Sequence, residues 1–339
     1  MTSFTCRDNI GKLKALLDGA SKVTVLSHTH PDGDALGSSA GLCIYLSEVL
    51  GKDAAAVLPD TPGESIRFII PEGIPYIMAD ADAAAAELRI LESDLLVLVD
   101  ANCFSRTEQL RDVCAVAGAP KVLIDHHLNP ATEDFSLVFS TTEISSASEL
   151  EYWILKELSG GKLPRRTMEA LLAGMTTDTN NFSNSVFPGT FAMASEIIAA
   201  GVDRDAILLN IYNKYRENRI RLMGYMQAEE MKITPDGAAY MILSRKIQER
   251  FGYREGEAEG LVNVPLAIGG VRLSVLATQK DGLYRISVRS KKGTSAQRLA
   301  AEYFHGGGHE NAAGGKILPE DASCPEKYIL DALDGFFGK

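Results

Sequence analysis

No apolar run in this 339-residue chain is long enough to cross a bilayer. The opening MTSFTCRDNIGKLKALLDGA also lacks an uninterrupted apolar core behind a basic flank. The expectation is a cytoplasmic protein with no membrane partner. The five cysteines (Cys6, Cys43, Cys103, Cys114 and Cys324) include no C-x-x-C pair, which fits reduced, buried thiols better than a disulfide frame or a zinc knuckle. Positive charge is short as well. At a net charge of −11 the chain is no general coat for nucleic acid. Repeats and low-complexity tracts are missing, and 45% apolar with 23% charged residues is the composition of a folded globular protein. A chain of this length is expected to form two domains.

The charge that is present is unevenly placed. Residues 261–318 hold eight Lys and Arg (Arg272, Lys280, Arg285, Arg289, Lys291, Lys292, Arg298, Lys316) against Asp281, Glu302 and Glu310, a local +5 that leaves −16 on the remainder. An acidic body with one basic segment suggests carboxylates gathered around metal in one domain and an anion grip in the other.

The stretch VTVLSHTHPDGDALG, residues 23–37, runs a β-prone segment into a turn at Pro31 and Gly33 and then into a helical pattern. The turn carries His28, Asp32 and Asp34. Strand-end loops of α/β proteins are where ligands bind, and this spacing can aim several donors at a metal from one loop. Further on, DLLVLV (residues 94–99) is a continuous apolar strand ending at Asp100, and residues 121–124 form another that ends at Asp125, His126 and His127. With strands also expected at 22–27 and 54–58, and helices at 4–17, 35–50 (closed by Gly51) and 81–87, the pattern is a parallel sheet covered on both faces. The C-terminal ends of its strands share one edge, so Asp32, Asp34, Asp100 and His126 can converge.

Helices are expected at 148–158 and 165–174, the latter running into MTTDTNNFSN, where Asp178 is the one clear ligand. Residues 188–200, 205–215 and 217–231 read as a helical connector. Beyond 234 come short strands at 239–243, 271–277 and 284–288, the last two joined by an Asp281-Gly282 hairpin turn, and a helix at 295–304 that ends in His305-Gly306-Gly307-Gly308-His309. The organisation expected is an α/β fold: a doubly wound parallel-sheet domain over residues 1–187, a connector over 188–232 and a smaller α/β domain over 233–339.

All six histidines (28, 30, 126, 127, 305 and 309) fall in three short clusters. Packing histidines would be expected to scatter, so the grouping favours metal binding or catalysis. Taken in order, His28-x-x-x-Asp32-x-Asp34, Asp100, the triplet Asp125-His126-His127, Asp178 and the C-terminal Gly306-Gly307-Gly308-His309-x-x-Ala312-Ala313-Gly314 resemble the motifs of the DHH phosphoesterases with their DHH-associated domain. By length and connector the chain resembles the bifunctional oligoribonuclease and pAp phosphatase group.

The resemblance implies two divalent ions, usually manganese. His28 and Asp32 would hold one, Asp34, His126 and Asp178 the other, with Asp100 bridging. Oxygen and imidazole donors suit a borderline-hard ion, and two ions about 3.5–4 Å apart can acidify a shared water and stabilise phosphoryl charge. It leaves His127 to contact the phosphoryl group or protonate the leaving oxygen and Asp125 to orient a histidine. Arg289, Gly306, Gly307, Gly308 and His309 would grip a terminal phosphate or its nucleotide. His30 occupies a variable position and is not counted as a ligand; His305 would only finish its helix. The expected activity is hydrolysis of very short RNA to mononucleotides and removal of the 3′-phosphate from pAp. The alternatives are hydrolysis of linear or cyclic di-AMP, then of polyphosphate or pyrophosphate, or a dead-site protein that binds nucleotide or RNA. A homodimer is left open.

Overall fold

Leu95–Val99 (β4), LLVLV, is buried at every residue, as a strand with helices on both sheet faces must be. It lies inside a six-stranded sheet with β1 (Lys22–Leu26), β2 (Asp53–Leu58), β3 (Tyr76–Met78), β5 (Lys121–Asp125) and β6 (Leu137–Ser140). All neighbours run parallel in the order β3-β2-β1-β4-β5-β6. The order reverses between β1 and β4, and such a switch point opens a crevice at the C-terminal ends of the strands. The computed structural model describes residues 7–338, and the chain divides into two compact units, Met1–Lys214 and Tyr215–Lys339. The expected doubly wound sheet is therefore present in the first.

The helices of this unit are α1 (Arg7–Gly19), α2 (Gly33–Glu48), α3 (Ala83–Leu91), α4 (Arg111–Val116), α5 (Ala147–Leu158), α6 (Arg165–Asp178), α7 (Pro188–Ala199) and α8 (Arg204–Tyr212). The expected start of the first helix at Phe4, and Cys6, lie outside the described residues. α2 begins earlier than expected because the Asp32 carboxylate caps it, Oδ1 accepting from the amides of Asp34 (2.9 Å) and Ala35 (3.1 Å). The helix ends at Glu48 with Val49 as its cap, so Gly51, expected to close it, follows two residues past that cap at φ +63. α2 crosses α6 where Gly37 meets Gly174. A Cβ on Gly37 would stand 2.6 Å from the Gly174 Cα, so only glycine allows this approach. The crossing fixes the end of α6, and with it Asp178, relative to the start of α2. Leu36, Leu171 and Leu172 are fully buried in the same core, each contributing roughly 1.5–3 kcal/mol.

The second unit holds α9 (Glu217–Tyr225), α10 (Arg245–Phe251), α11 (Ala296–Tyr303), α12 (Pro325–Phe337) and strands β7 (Lys232–Ile233), β8 (Ala238–Leu243), β9 (Leu273–Lys280), β10 (Leu283–Ser290), β11 (Gly307–His309) and β12 (Ala312–Ile317). Their order is β11-β12-β10-β9-β8-β7, parallel only between β8 and β9. The β9–β10 hairpin turns at Asp281 (φ +50) and Gly282 (φ +81), the paired positive φ that a two-residue turn demands. Leu299, Phe304, Ile329 and Leu333 from the α11 and α12 regions pack against Val275, Ile286 and Val288 of the sheet.

Candidate metal centre

The three loops that leave β1, β4 and β5 meet at the switch point. His28 is buried, and its Nδ1 lies 2.7 Å from the Thr29 carbonyl oxygen, which leaves Nε2 to face the carboxylates. That Nε2 stands 3.3 Å from Asp100 Oδ2 and 3.9 Å from Asp32 Oδ1. The other Asp100 oxygen, Oδ1, is 3.3 Å from His126 Nε2. One carboxylate thus faces two imidazoles, one with each oxygen. His126 Nε2 is also 3.7 Å from Asp178 Oδ2 and 4.0 Å from Asp34 Oδ2.

Backbone geometry sets these positions. Asp100 takes φ +54 while its amide still donates to the Ile124 carbonyl at 3.1 Å, so the chain leaves β4 in a left-handed turn without losing its tie to β5. A non-glycine residue held there stores strain of the kind found at functional sites. Asp34 is fixed differently. Its Oδ2 accepts the Ala147 amide at 2.7 Å and its Oδ1 the Ser148 amide at 3.0 Å, two donors that the start of α5 would otherwise leave unpaired. Asp178 is the last residue of α6. The expectation placed it beyond that helix, because the small polar run MTTDTN hides four more helical residues.

Burial and crowding decide the charges. Burial and the Asp100 charge push Asp34 up to about 7, and burial with the Asp34 charge raises Asp178 well above the ordinary carboxylate range. For His126, burial opposes protonation, but Asp100, Asp178 and Asp34 overcome it and lift it to about 10. His28 rises to about 9 in the same way, burial and the Arg106 charge opposing while Asp100 and Asp32 prevail. Asp100 is held far below the usual range, because hydrogen bonds and charge from His126 and His28 outweigh its burial. Carboxylates that repel one another in a buried cluster are those a divalent cation relieves.

The donors fall into three groups whose atoms lie within 4.8 Å of one another: His28, Asp32 and Asp100; Asp34, His126 and Asp178; and Asp100, His126 and His127. Only nitrogen and carboxylate oxygen are offered. The set fits divalent ions of the magnesium and manganese type. His127 belongs to the third group by distance, yet its Nδ1 is 2.7 Å from Asp125 Oδ1, and Asp125 Oδ2 accepts the His127 amide at 3.0 Å. Asp125, fully buried, therefore orients His127.

His30 lies outside the three groups, with φ +51 and its amide donating to Asp60 Oδ2 at 2.6 Å. Asp60, which also takes the Thr29 hydroxyl, anchors the His28 loop and was not singled out from the sequence. The signal was available: Asp60 follows the buried β2 strand as Asp100 follows β4.

In the second unit, register sets Arg289 of β10 opposite Ala312 of β12, and Ala312 opposite His309 of β11. The two basic residues share one cross-strand row, about 10 Å apart at the backbone. The Arg289 guanidinium is half-buried and donates to the Val288 carbonyl at 3.0 Å. Of the three glycines, Gly306 and Gly308 answer to their own chain: a Cβ would stand 1.9 Å from the Gly314 oxygen at the first and 2.7 Å from the Ala312 oxygen at the second. At Gly307 a Cβ would meet nothing within 4 Å. His305, at φ +48 after α11, ends that helix.

A doubly wound sheet with an Asp/His donor set at its switch point defines an α/β protein built for divalent metal. The chain matches the DHH family N-terminal domain over residues 22–175 and the DHHA1 domain over residues 238–334. It is 30% identical to the bifunctional oligoribonuclease and PAP phosphatase NrnA of Bacillus subtilis, over 88% of this chain and 90% of that one. A manganese-dependent inorganic pyrophosphatase (probable) of Streptococcus thermophilus is 30% identical over 47% of this chain and 48% of its own. The crystal structure of an exopolyphosphatase-related protein from Bacteroides fragilis superposes with a TM-score of 0.90 at 33% identity, covering 98% and 97% of the two chains. The protein belongs to the DHH family of phosphoesterases.

Proposed function

We propose that the protein is a manganese-dependent phosphohydrolase that degrades very short RNA to mononucleotides and removes the 3′-phosphate of pAp. The observation that carries the reading is Asp100, which directs one oxygen to His28 and the other to His126, as a carboxylate bridging two ions would. His28 and Asp32 would hold one ion, and Asp34, His126 and Asp178 the second. A divalent pair in this set would supply a nucleophile at neutral pH and a sink for phosphoryl charge. The protein's own part is then to place the substrate and move a proton. With Nδ1 engaged by Asp125, proton transfer through His127 to a leaving oxygen would run through Nε2. Arg289, His309 and the Gly306–Gly308 turn would grip a terminal phosphate or the neighbouring nucleotide. The substrate class is supported by the name of the B. subtilis relative, which is similar over nearly its whole length.

The test is a panel with Mn²⁺: pAp, a dinucleotide RNA, pApA, cyclic di-AMP and polyphosphate. Preference for pAp and the dinucleotide supports the reading. Preference for cyclic di-AMP or polyphosphate replaces it within the same chemistry, and turnover of none points to a nucleotide-binding protein.

A further inference from the structure

Among the described residues, Arg106 is a cation near the His28 loop that the roles above leave unused. It lies in the 3-10 segment Phe104–Leu110, six residues past Asp100. Its carbonyl accepts the Thr29 amide at 2.8 Å, which ties it to the loop that carries His28. The residue is half-buried. Among the described residues, two other arginines of the first unit are half-buried, and both are satisfied: Arg89 donates to Asp53, Thr24 and Val23, and Arg204 donates to Asn181 and lies over the Phe182 ring. Among the described residues, the Arg106 guanidinium has no hydrogen bond, ion pair or ring contact.

A half-buried cation without a partner gives up hydration and gains nothing in return. The placement is unfavourable for the protein alone and becomes favourable when an anion occupies the centre. A guanidinium can meet two oxygens of a phosphoryl group side by side, which a point charge cannot. We propose that Arg106 is a substrate-binding residue, receiving the oxygens of the phosphate ester on the His28 side of the metal centre. The inference rests on the phosphohydrolase reading and deepens it: Arg106 would recognise the phosphate itself, whatever nucleoside it carries.

The experiment compares wild-type protein with Arg106→Gln and Arg106→Lys, all loaded with Mn²⁺. Bound manganese and thermal melting are measured first. Each protein is then titrated calorimetrically with inorganic phosphate, and kcat/KM is measured on a dinucleotide RNA and on bis(p-nitrophenyl) phosphate. The expected result for Arg106→Gln is unchanged manganese and melting, phosphate affinity weaker by about ten- to a hundredfold, and a similar loss on both substrates. Arg106→Lys should recover part of the loss, through charge without the fork. Phosphate binding as in wild type, or loss of manganese, overturns the assignment. So does a lowered melting temperature in both variants, which would mark a structural arginine. If wild type turns over no nucleotide yet Arg106→Gln still weakens phosphate binding, the contact stands and the nucleotide reading falls.

Discussion

The edge of the first sheet and the β10–β12 row of the second unit are built on opposite principles. At the sheet edge, five residues from four separated stretches (His28 and Asp34; Asp100; His126; and Asp178) are drawn together, with Asp34 and Asp100 sealed from solvent. Their charges conflict until a cation arrives. In the second unit, Arg289, Ala312 and His309 stand side by side through strand register alone, and the glycines around them satisfy the hairpin's own backbone. The first arrangement is costly for folding and has no use apart from chemistry. The second costs little, so its geometry alone says less about function. The proposed division into catalysis and selection can be tested by breaking each half separately.

The largest effect should come from Asp100→Ala. This carboxylate faces His28 with one oxygen and His126 with the other, so its loss should lower bound metal and abolish turnover on every substrate, by about a thousandfold or more. The fold should survive, since one loop carboxylate adds little to the core. Metal analysis, circular dichroism and turnover on one preparation check this. Near-wild-type turnover with two ions bound would remove Asp100 from the centre.

A smaller and selective effect should come from His309→Ala. If the second unit holds substrate, metal content stays constant while kcat/KM on pAp and short RNA falls by about ten- to a hundredfold, the loss of one charge-assisted phosphate contact. A generic phosphodiester should be hydrolysed almost as before. The contrast with Arg106→Gln, expected to weaken both substrates alike, separates a grip on the nucleotide from a grip on the phosphate. Equal losses on both substrates in His309→Ala would erase the division.

The sheet-edge residues were legible because the signal repeats: an apolar strand stops, and an acid or histidine follows. β1, β4 and β5 all show it. What escaped the sequence reading was whatever depends on partners distant along the chain. β3 and β6 have three and four residues and acquire strand geometry only by pairing with β2 and β5, and no local pattern marks so short an edge. The amides of Ala147 and Ser148 that hold Asp34 lie 113 and 114 residues away and have no side-chain signature. α12 carries a regular amphipathic pattern but lies beyond the last motif and bears no site residue. Gly306 and Gly308 also depend on such partners: the close backbone approach to Gly314 and Ala312 that requires glycine there comes from a strand pairing with no local signature.

The smallest effect is also the one that reports on the sheet edge without any substitution. In metal-free protein, Asp34 is raised to about 7, and His28 and His126 to about 9 and about 10. A group whose folded-state pKa exceeds its unfolded value holds more protons when folded, so its contribution is complete below the unfolded pKa and is lost as pH rises through the folded one. For Asp34 the loss runs from about 4 to 7, and for the histidines from about 6.5 to 10. Asp100 has the opposite sign, but its shift lies at strongly acid pH and leaves the neutral range untouched. Chelator-treated protein should therefore melt at progressively lower temperature between about pH 6 and 9, by about 2–4 °C for each kcal/mol lost in a domain of this size. Added Mn²⁺ should flatten the curve, because the cation takes over the charge compensation that protons supply, and its affinity should weaken below pH 7 as protons compete for the same donors. Melting curves across that range, with and without Mn²⁺, check both statements. A metal-free protein that gains stability toward pH 9 would show that the carboxylates do not oppose one another as the geometry implies.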